Sequence, residues 1–306
     1  MSYTTPILFL IFNRPSTTSR VFEVIRSIQP QKLYIAADGP RIGNARDIEK
    51  CSETRKIVEK IDWQCEVITL FREKNLGCKI AVSTAINWFF ENEEMGIILE
   101  DDCLPSESFF TFCATLLEKY RYDVRVMHIS GNNFQRGRIR GDGSYYFSKY
   151  PHIWGWASWR RAWDYYDVNM TTYERFIQQG QIRNIFRNKM LQHEWEHSFG
   201  LVHSGKLDTW DHQWTYAILC QNGICILPNQ NLVSNIGFGP EAHHTKNYNK
   251  SLADLSISNL AFINHPTFVI PNNEADEFYS LNIFRESTIR KIFRIGRKLI
   301  RMVRDK

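Results

Sequence analysis

Three consecutive carboxylates, Glu100, Asp101 and Asp102, follow a short apolar run in the first half of the chain. The run Gly96–Leu99 predicts a buried parallel strand, and the carboxyl ends of such strands are where open α/β sheets bind ligands. Adjacent like charges repel each other, so the triplet is favourable only beside water or a cation. Carboxylate oxygens are the ligands that Mg²⁺ and Mn²⁺ prefer. The triplet therefore predicts either a solvated turn or a divalent-cation site.

Polar residues also follow the other predicted strands of this region. Arg14, Asp38 and Arg72 each come directly or shortly after an apolar run of strand length. No phosphate-binding GxGxxG or Walker loop follows any of these runs, which disfavours a dinucleotide enzyme or a P-loop ATPase. Any ligand cradle must therefore be built from other residues.

Strands and helices alternate over the first 130 residues. This alternation predicts an α/β fold with a Rossmann-like, mostly parallel sheet flanked by helices. The predicted strands are 7–12, 32–37, 65–70, 96–99 and 125–130, and the predicted helices begin near Ser16 and cover 45–61, 78–90 and 105–120. Later in the chain, the patterns predict helices over 172–180, 183–203 and up to 221, and strands over 224–228 and 232–236.

Composition sets limits on the class of protein. The chain has 306 residues, of which 43% are hydrophobic and 23% are charged, as in ordinary globular proteins. Its seven cysteines form no CxxC pair, which argues against a disulfide framework or a zinc site and favours a reducing, cytoplasmic compartment. The apolar run Pro6–Phe12 is too short to span a bilayer and lacks a basic segment before it, so it predicts a first strand.

Aromatic residues are concentrated after residue 140. Seven of the nine tryptophans lie between positions 154 and 214. Two interpretations remain open from composition alone: an aromatic core, or a platform on which the rings stack against the apolar faces of sugars. The loop Gly237–Thr245 follows and contains His243 and His244, which are potential metal ligands.

Taken together, these segments resemble the GT-A nucleotide-sugar glycosyltransferases. The resemblance covers about residues 6–245 and is closest to the N-acetylglucosaminyltransferase I type, whose metal motif is also Glu-Asp-Asp. It extends to bacterial surface-glycan transferases with a Gly-Trp-x-x-Trp stretch, here Gly155–Trp159. The order of the motifs carries the resemblance: Asn13-Arg14-Pro15, Asp38, Arg72–Gly77, Leu99–Asp102 and Trp210–Asp211.

The resemblance implies roles for individual residues. Asp102 would bind Mn²⁺ or Mg²⁺, with His243 or His244 as a second ligand, and Asp211 would be the general base. The eukaryotic relatives read Trp-Asp-Asp-Trp where this chain has one residue more between the tryptophans, so Asp208 and His212 remain alternative bases. The implied donor-binding residues are Arg14, Asp38, Arg72, Asn75, Glu100 and Asp101, and the implied acceptor-binding residues are Trp154, Trp156 and Trp210.

The chain is expected to divide into a nucleotide-sugar-binding half, residues 1–140, and an acceptor-binding half of the same domain, residues 141–287. Residues 288–306 have apolar positions at spacings of three and four, together with eight Lys or Arg and one Asp, which predicts a basic amphipathic helix. This helix could dock on the protein itself, or lie on an anionic membrane surface at the inner face of the plasma membrane. Apart from this tail the chain is not basic, so a nucleic-acid partner is not expected.

The expected activity is metal-dependent, inverting transfer of a hexosyl or N-acetylhexosaminyl group. The donor would be a nucleotide-diphosphate sugar, with a UDP-sugar favoured by Asp38, and the acceptor a hydroxyl of a glycan or lipid-linked glycan. Two alternative functions have different sequence requirements. A sugar-nucleotide nucleotidyltransferase should have a Gly-rich basic loop where this chain has Asn13–Ser16, and a non-catalytic carbohydrate-binding module would not need the carboxylates.

Overall fold

The computed structural model describes residues 3–238 and 255–282, and an eight-stranded mixed sheet lies at its centre. The strand order is β3-β2-β1-β4-β8-β6-β9-β7. The strands are β1 (Ile7–Ile11), β2 (Lys32–Ala37), β3 (Glu66–Phe71), β4 (Met95–Glu100), β6 (Val126–Ser130), β7 (Tyr145–Ser148), β8 (Trp156–Trp159) and β9 (Ile224–Pro228). A separate antiparallel pair joins β5 (Cys103–Pro105) to β10 (Val233–Asn235).

The first four strands run parallel to one another. β1 pairs with β2 on one side and with β4 on the other, and β2 pairs with β3 at the edge. β1 and β2 are almost entirely apolar because both faces of these strands are covered by helices. Strands β8 and β7 run antiparallel to their neighbours.

Helices cover both faces of the sheet. The first apolar core joins one face to α1, the end of α2 and α4, and the second joins the opposite face to α3, α5 and α9. A third core lies among α6, α7, α8 and the outer side of α9. The helices are α1 (Pro15–Ile28), α2 (Ala45–Ile57), α3 (Gly77–Asn92), α4 (Glu107–Lys119), α5 (Arg160–Trp163), α6 (Tyr173–Gln178), α7 (Ile182–Ile185), α8 (Lys189–His203) and α9 (Asp211–Cys220).

The predicted fold class, an α/β fold with a mostly parallel mixed sheet flanked by helices, is confirmed, and the arrangement is consistent with a Rossmann-like GT-A fold. The sequence did not predict strands β7 and β8, because the tryptophans of β8 lack the alternation of apolar and polar residues. Trp156 packs in the core on one face of the sheet and Trp159 in the core on the other, as expected for residues three apart in a strand. Residues 273–282 are helical where no element was predicted.

Several predictions fall outside the described residues. They concern His243, His244 and the amphipathic helix over 288–306. Within the described part of the chain, no helix has the length and apolar character needed to cross a membrane.

Candidate functional site

A cavity of about 330 Å³ lies where the carboxyl ends of β1, β2 and β4 meet. The chain runs from β1 to β2 and β3 on one side and places β4 on the other, so the cavity sits at a topological switch point, where such sheets bind ligands. All six residues that the sequence predicted for the donor line this one cavity: Arg14, Asp38, Arg72, Asn75, Glu100 and Asp101. We call it the donor cavity.

Arg14 joins the loop after β1 to the acidic triplet after β4. One terminal nitrogen of its guanidinium, Nη2, lies 2.7 Å from Asp101 Oδ1, and the other, Nη1, donates a 2.7 Å hydrogen bond to Asp102 Oδ2. The remaining oxygen of Asp101, Oδ2, accepts a 3.1 Å hydrogen bond from the backbone N–H of Phe12. The guanidinium of Arg14 therefore supplies part of the positive charge that the acidic triplet requires.

One guanidinium does not neutralise three carboxylates. Burial, followed by the charges of Asp102 and Asp101, raises the pKa of Glu100 to about 8. Burial also raises the pKa of Asp101 to about 6, although Arg14 opposes this rise. Both pKa values are raised, so the site holds more negative charge than the protein compensates.

The predicted metal ligand Asp102 does not face the donor cavity. Its Oδ2 is bound to Arg14, its Oδ1 lies 3.6 Å from the thiol sulfur of Cys103, and Gly237 packs so closely that an added Cβ would lie 2.1 Å from Oδ2. Over residues 3–238 and 255–282, no group of three or more His, Cys, Asp or Glu side chains is arranged to hold a metal ion. The arrangement shown here does not fit a divalent cation on Asp102.

Asp38 organises the loop between β3 and α3. Its carboxylate accepts hydrogen bonds from the backbone N–H groups of Gly39, at 2.9 Å, and Leu76, at 3.1 Å, and from the side-chain amide of Asn75, at 2.8 Å. Burial raises the pKa of Asp38, and these bonds oppose the rise. Gly77 follows with a φ of +78°, which favours glycine and lets α3 begin directly at the cavity.

Asp208, one of the alternative bases, lies at the same cavity near the start of α3. Its Oδ1 accepts a 3.3 Å hydrogen bond from the backbone N–H of Lys79, in the first turn of that helix. A carboxylate there satisfies a helix N–H group that has no partner within the helix and interacts favourably with the helix dipole. This contact gives Asp208 a structural role.

A second cavity of about 260 Å³ contains Asp211, His212 and Trp154. Asp211 is the first residue of α9, and its Oδ1 accepts a hydrogen bond from the Thr209 hydroxyl and lies 3.1 Å from His212 Nδ1. Both Asp211 and His212 are partly exposed. We call this space the aromatic cavity, because aromatic rings form most of its wall: Phe134, Tyr150, His152, Trp154, Trp195 and Tyr279.

Asp211 and His212 shift each other's pKa. Burial would raise the pKa of Asp211, but the charge and hydrogen bonds of His212 and Thr209 outweigh it and hold that pKa well below its usual range. Burial would lower the pKa of His212, but the charge and hydrogen bond of Asp211 raise it above its usual value. With its Nδ1–H donated to Asp211, His212 has Nε2 left to take up a proton.

The two cavities are electrostatically connected. Asp211 contributes to the raised pKa of Glu100, and both Asp208 and Asp211 contribute to the raised pKa of Cys78, which burial raises most. Since Glu100 and Cys78 line the donor cavity, the charge of Asp211 acts across the boundary between the two sites.

Two of the three predicted acceptor residues are core residues. Trp156 is 0% exposed and Trp210 is 2% exposed, and their rings stack on each other at 5.7 Å within the second core. The structure therefore places these two rings in a core and not on a platform for an acceptor sugar, because they line neither of the two cavities. Trp154 is partly exposed and lines the aromatic cavity, as an acceptor-binding residue would.

The sequence did not single out Phe134, His152, Trp195 or Tyr279 as site residues. They come from four separate parts of the chain, and no motif of the resemblance contains them. The closest sequence signal to any of them is the Gly-Trp-x-x-Trp stretch, which begins shortly after Pro151-His152.

No protein-family model and no curated protein matches this chain. Among solved structures, it is similar to the galactosyltransferase LgtC in complex with donor and acceptor sugar analogues (10% identity, TM-score 0.34, 70% of each chain covered). It is also similar to a cytidylyltransferase from Leptospira borgpetersenii (13% identity, TM-score 0.34, 67% of this chain and 73% of that chain). A third is an apo UDP-glucose pyrophosphorylase (11% identity, TM-score 0.34, 75% and 93% covered). Likenesses at this level do not establish what this chain binds or does.

Proposed function

We propose that this protein transfers a sugar from a nucleotide-diphosphate donor, bound in the donor cavity, to a hydroxyl group held in the aromatic cavity. One observation carries the proposal: the six residues implied for the donor surround one cavity, and Asp208, three residues before the pair Asp211–His212 of the aromatic cavity, lines that same donor cavity. A non-catalytic carbohydrate-binding module would not need a charged cavity next to a general base.

The donor's diphosphate would lie beside Arg72 and beside Arg14 and Arg41, and the last two would have to exchange their carboxylate partners Asp101, Asp102 and Asp47 for phosphate oxygens. A guanidinium can donate two parallel hydrogen bonds to a phosphate, and it keeps its charge at any working pH. These side chains would stabilise the negative charge that develops on the leaving nucleoside diphosphate. Uridine is the base favoured by the resemblance at Asp38.

His212 would act as the general base, held in orientation by Asp211. A base works best when its pKa is near the working pH, and the raised pKa of His212 suits this better than the lowered pKa of Asp211. In the proposed reaction the acceptor oxygen forms a bond to the anomeric carbon as the bond from that carbon to the diphosphate oxygen breaks. The leaving diphosphate takes the electron pair, His212 takes the hydroxyl proton, and the single displacement inverts the anomeric centre.

The requirement for Mn²⁺ or Mg²⁺ stays a prediction, since the described residues do not present Asp102 to the cavity. No step above depends on the metal. The hexosyl or N-acetylhexosaminyl nature of the donor, a lipid-linked acceptor and the attachment of residues 288–306 to a membrane also stay proposals, supported by the sequence alone.

Calorimetry with UDP, GDP, CMP and dTDP, each with Mn²⁺ and with EDTA, tests the donor half of the proposal. We expect UDP to bind most tightly, and binding to raise the melting temperature because the ligand stabilises the native state. Release of UDP from a panel of UDP-sugars tests the chemistry. Failure of all four nucleotides to bind would refute the proposal, and pyrophosphate release from UTP and a sugar 1-phosphate would favour a nucleotidyltransferase instead.

A further inference from the structure

The aromatic cavity has a wall whose composition limits what it can bind. Phe134, Trp154 and Tyr279 are all partly exposed, and their rings are in mutual contact through Phe134. Phe134 and Tyr279 are stacked, with centroids 5.9 Å apart and planes at 24°, and Trp154 meets Phe134 edge-on at 5.4 Å. Such a wall offers flat apolar surface, which suits a ligand with apolar C–H faces.

His152 lines the same cavity and has unsatisfied polar atoms. Its side chain is 3% exposed, and it is covered by Tyr279 at 4.3 Å and Phe134 at 4.7 Å between ring centroids. Neither ring nitrogen has a hydrogen-bond partner. A buried polar atom without a partner is destabilising, so native structures rarely keep one without a reason. A neutral imidazole offers one donor and one acceptor, which is the pair that a sugar hydroxyl can satisfy.

The aromatic cavity is lined by a carboxylate but by no lysine or arginine among the described residues. This carboxylate belongs to Asp211. A ligand that carries a carboxylate or phosphate here would meet Asp211 with no cation to offset the repulsion except a protonated His212. The volume of about 260 Å³ is below the range of about 300–1,000 Å³ typical of sites for drug-sized ligands, which suits a single ring.

We propose that the aromatic cavity binds one uncharged pyranose ring, stacked on Phe134, Trp154 and Tyr279, with His152 as the polar residue that recognises its hydroxyl groups. Recognition of a sugar here stands on the cavity alone. The statement that this sugar is the acceptor rests on the proposed function. An uncharged sugar is thereby the substrate class at this site, and sugars bearing a carboxylate are excluded.

A substitution of His152 can distinguish a role in sugar recognition from a merely structural role. Replacing His152 by phenylalanine removes two buried polar atoms that have no partner and keeps an aromatic ring, so we expect the melting temperature to stay equal or rise. The same change should weaken sugar binding, because the hydroxyl partner is lost. A residue needed only for packing would not lower sugar affinity while leaving stability intact.

The experiment uses the full chain and methyl glycosides as probes. Saturation-transfer NMR and calorimetry would measure binding of the methyl glycosides of glucose, galactose, mannose and N-acetylglucosamine, with methyl glucuronide and methyl galacturonide as charged counterparts. We expect at least one neutral glycoside to bind in the millimolar range, and its charged counterpart to bind at least about tenfold more weakly. His152→Phe and Phe134→Ala should each weaken the neutral glycoside by at least about tenfold. Trp88→Phe, on α3 away from this cavity, is the matched control.

UDP affinity is measured in the same samples and reports on the donor cavity. The inference is overturned if no neutral glycoside binds the wild-type protein, if the charged counterpart binds equally well, or if both variants retain full sugar affinity. If His152→Phe does not fold, Phe134→Ala decides. If the wild-type protein does not bind UDP, the result would instead count against the proposed donor and would not affect the proposed sugar site.

Discussion

Replacing Arg14 by glutamine should destabilise the protein by an amount that depends strongly on pH. Arg14 contacts both Asp101 and Asp102 at 2.7 Å, and Asp101 is 3% exposed at its side chain. Removing one partner of a buried ion pair leaves an uncompensated charge, which costs about 3–5 kcal/mol. We therefore expect a loss of about this size at pH 8, which lies above the raised pKa of Asp101.

The loss should become smaller as the pH falls. In the folded wild-type protein the pKa of Asp101 is raised from 3.8 to about 6 and that of Glu100 from 4.5 to about 8, so between these values the folded state binds more protons than the unfolded chain. Each such group makes the free energy of unfolding fall by up to about 1.4 kcal/mol per pH unit as the pH rises through that window. Without Arg14, which lowers both pKa values in the wild-type protein, these pKa values rise further. The free energy of unfolding then falls over a wider range of pH. At pH 5 a protonated Asp101 no longer needs a counter-ion, and we expect a loss of about 1–2 kcal/mol from the missing hydrogen bonds.

Urea denaturation of both proteins at pH 5, 6.5 and 8 measures these values. The matched control is Arg41→Gln, which also removes an arginine of the donor cavity. Arg41 is 47% exposed and pairs with Asp47, whose pKa the Arg41 hydrogen bond lowers to about 2, so Asp47 stays ionised over the whole range. The control should therefore lose the same amount at each pH. A loss for Arg14→Gln that does not change with pH, or that stays below about 1 kcal/mol at pH 8, would refute the idea that Arg14 balances these carboxylates.

Three further predictions concern the donor loop, the base and the tail. Asp38→Asn should weaken UDP binding by at least about tenfold, because the NH2 group that replaces one carboxylate oxygen cannot accept the hydrogen bond from Asn75 that helps to shape the loop before α3, and calorimetry showing unchanged affinity would contradict this. Asp211→Asn should lower the pKa of His212, since the charge and hydrogen bond that raise it are reduced, and a His212 resonance that titrates as before in NMR would count against the pair. Truncation after Ser287 should abolish salt-sensitive sedimentation with anionic liposomes if the tail is a membrane anchor, and equal binding by the truncated protein would exclude that role.

The clustering of the six residues at one cavity could be predicted from the sequence, because these residues follow strands. Apolar runs fix where β1, β2 and β4 end, and parallel pairing then places Arg14, Asp38 and Glu100 at one edge of the sheet. The side-chain pairing at that edge could not be predicted. Arg14 and Asp102 are 88 residues apart, and whether Asp102 faces a metal or an arginine depends on the approach of the loop at Gly237, which no local pattern encodes.

The aromatic side was harder to predict because tryptophan serves equally well in a core and at a binding surface. Trp154 and Trp156 are neighbours in the sequence, yet Trp156 belongs to strand β8 and is buried, while Trp154 lies before the strand and remains partly exposed. Whether each tryptophan is buried or exposed therefore depends on its position relative to strand β8, which the sequence did not predict. The rings that accompany Trp154 at the cavity come from other segments, so only the tertiary structure brings them together.

The two cavities place opposite charges where the proposed reaction would generate them. As the donor bond breaks, negative charge grows on the diphosphate beside Arg14 and Arg72. At the same time His212 gains a proton beside Asp211, whose carboxylate stabilises the resulting imidazolium. Because Asp211 also contributes to the raised pKa of Glu100, the positive charge formed on His212 would favour ionisation of Glu100. In the proposed reaction, the acidic triplet and the pair Asp211–His212 would therefore act as one coupled set of charges on the two sides of the transferred carbon.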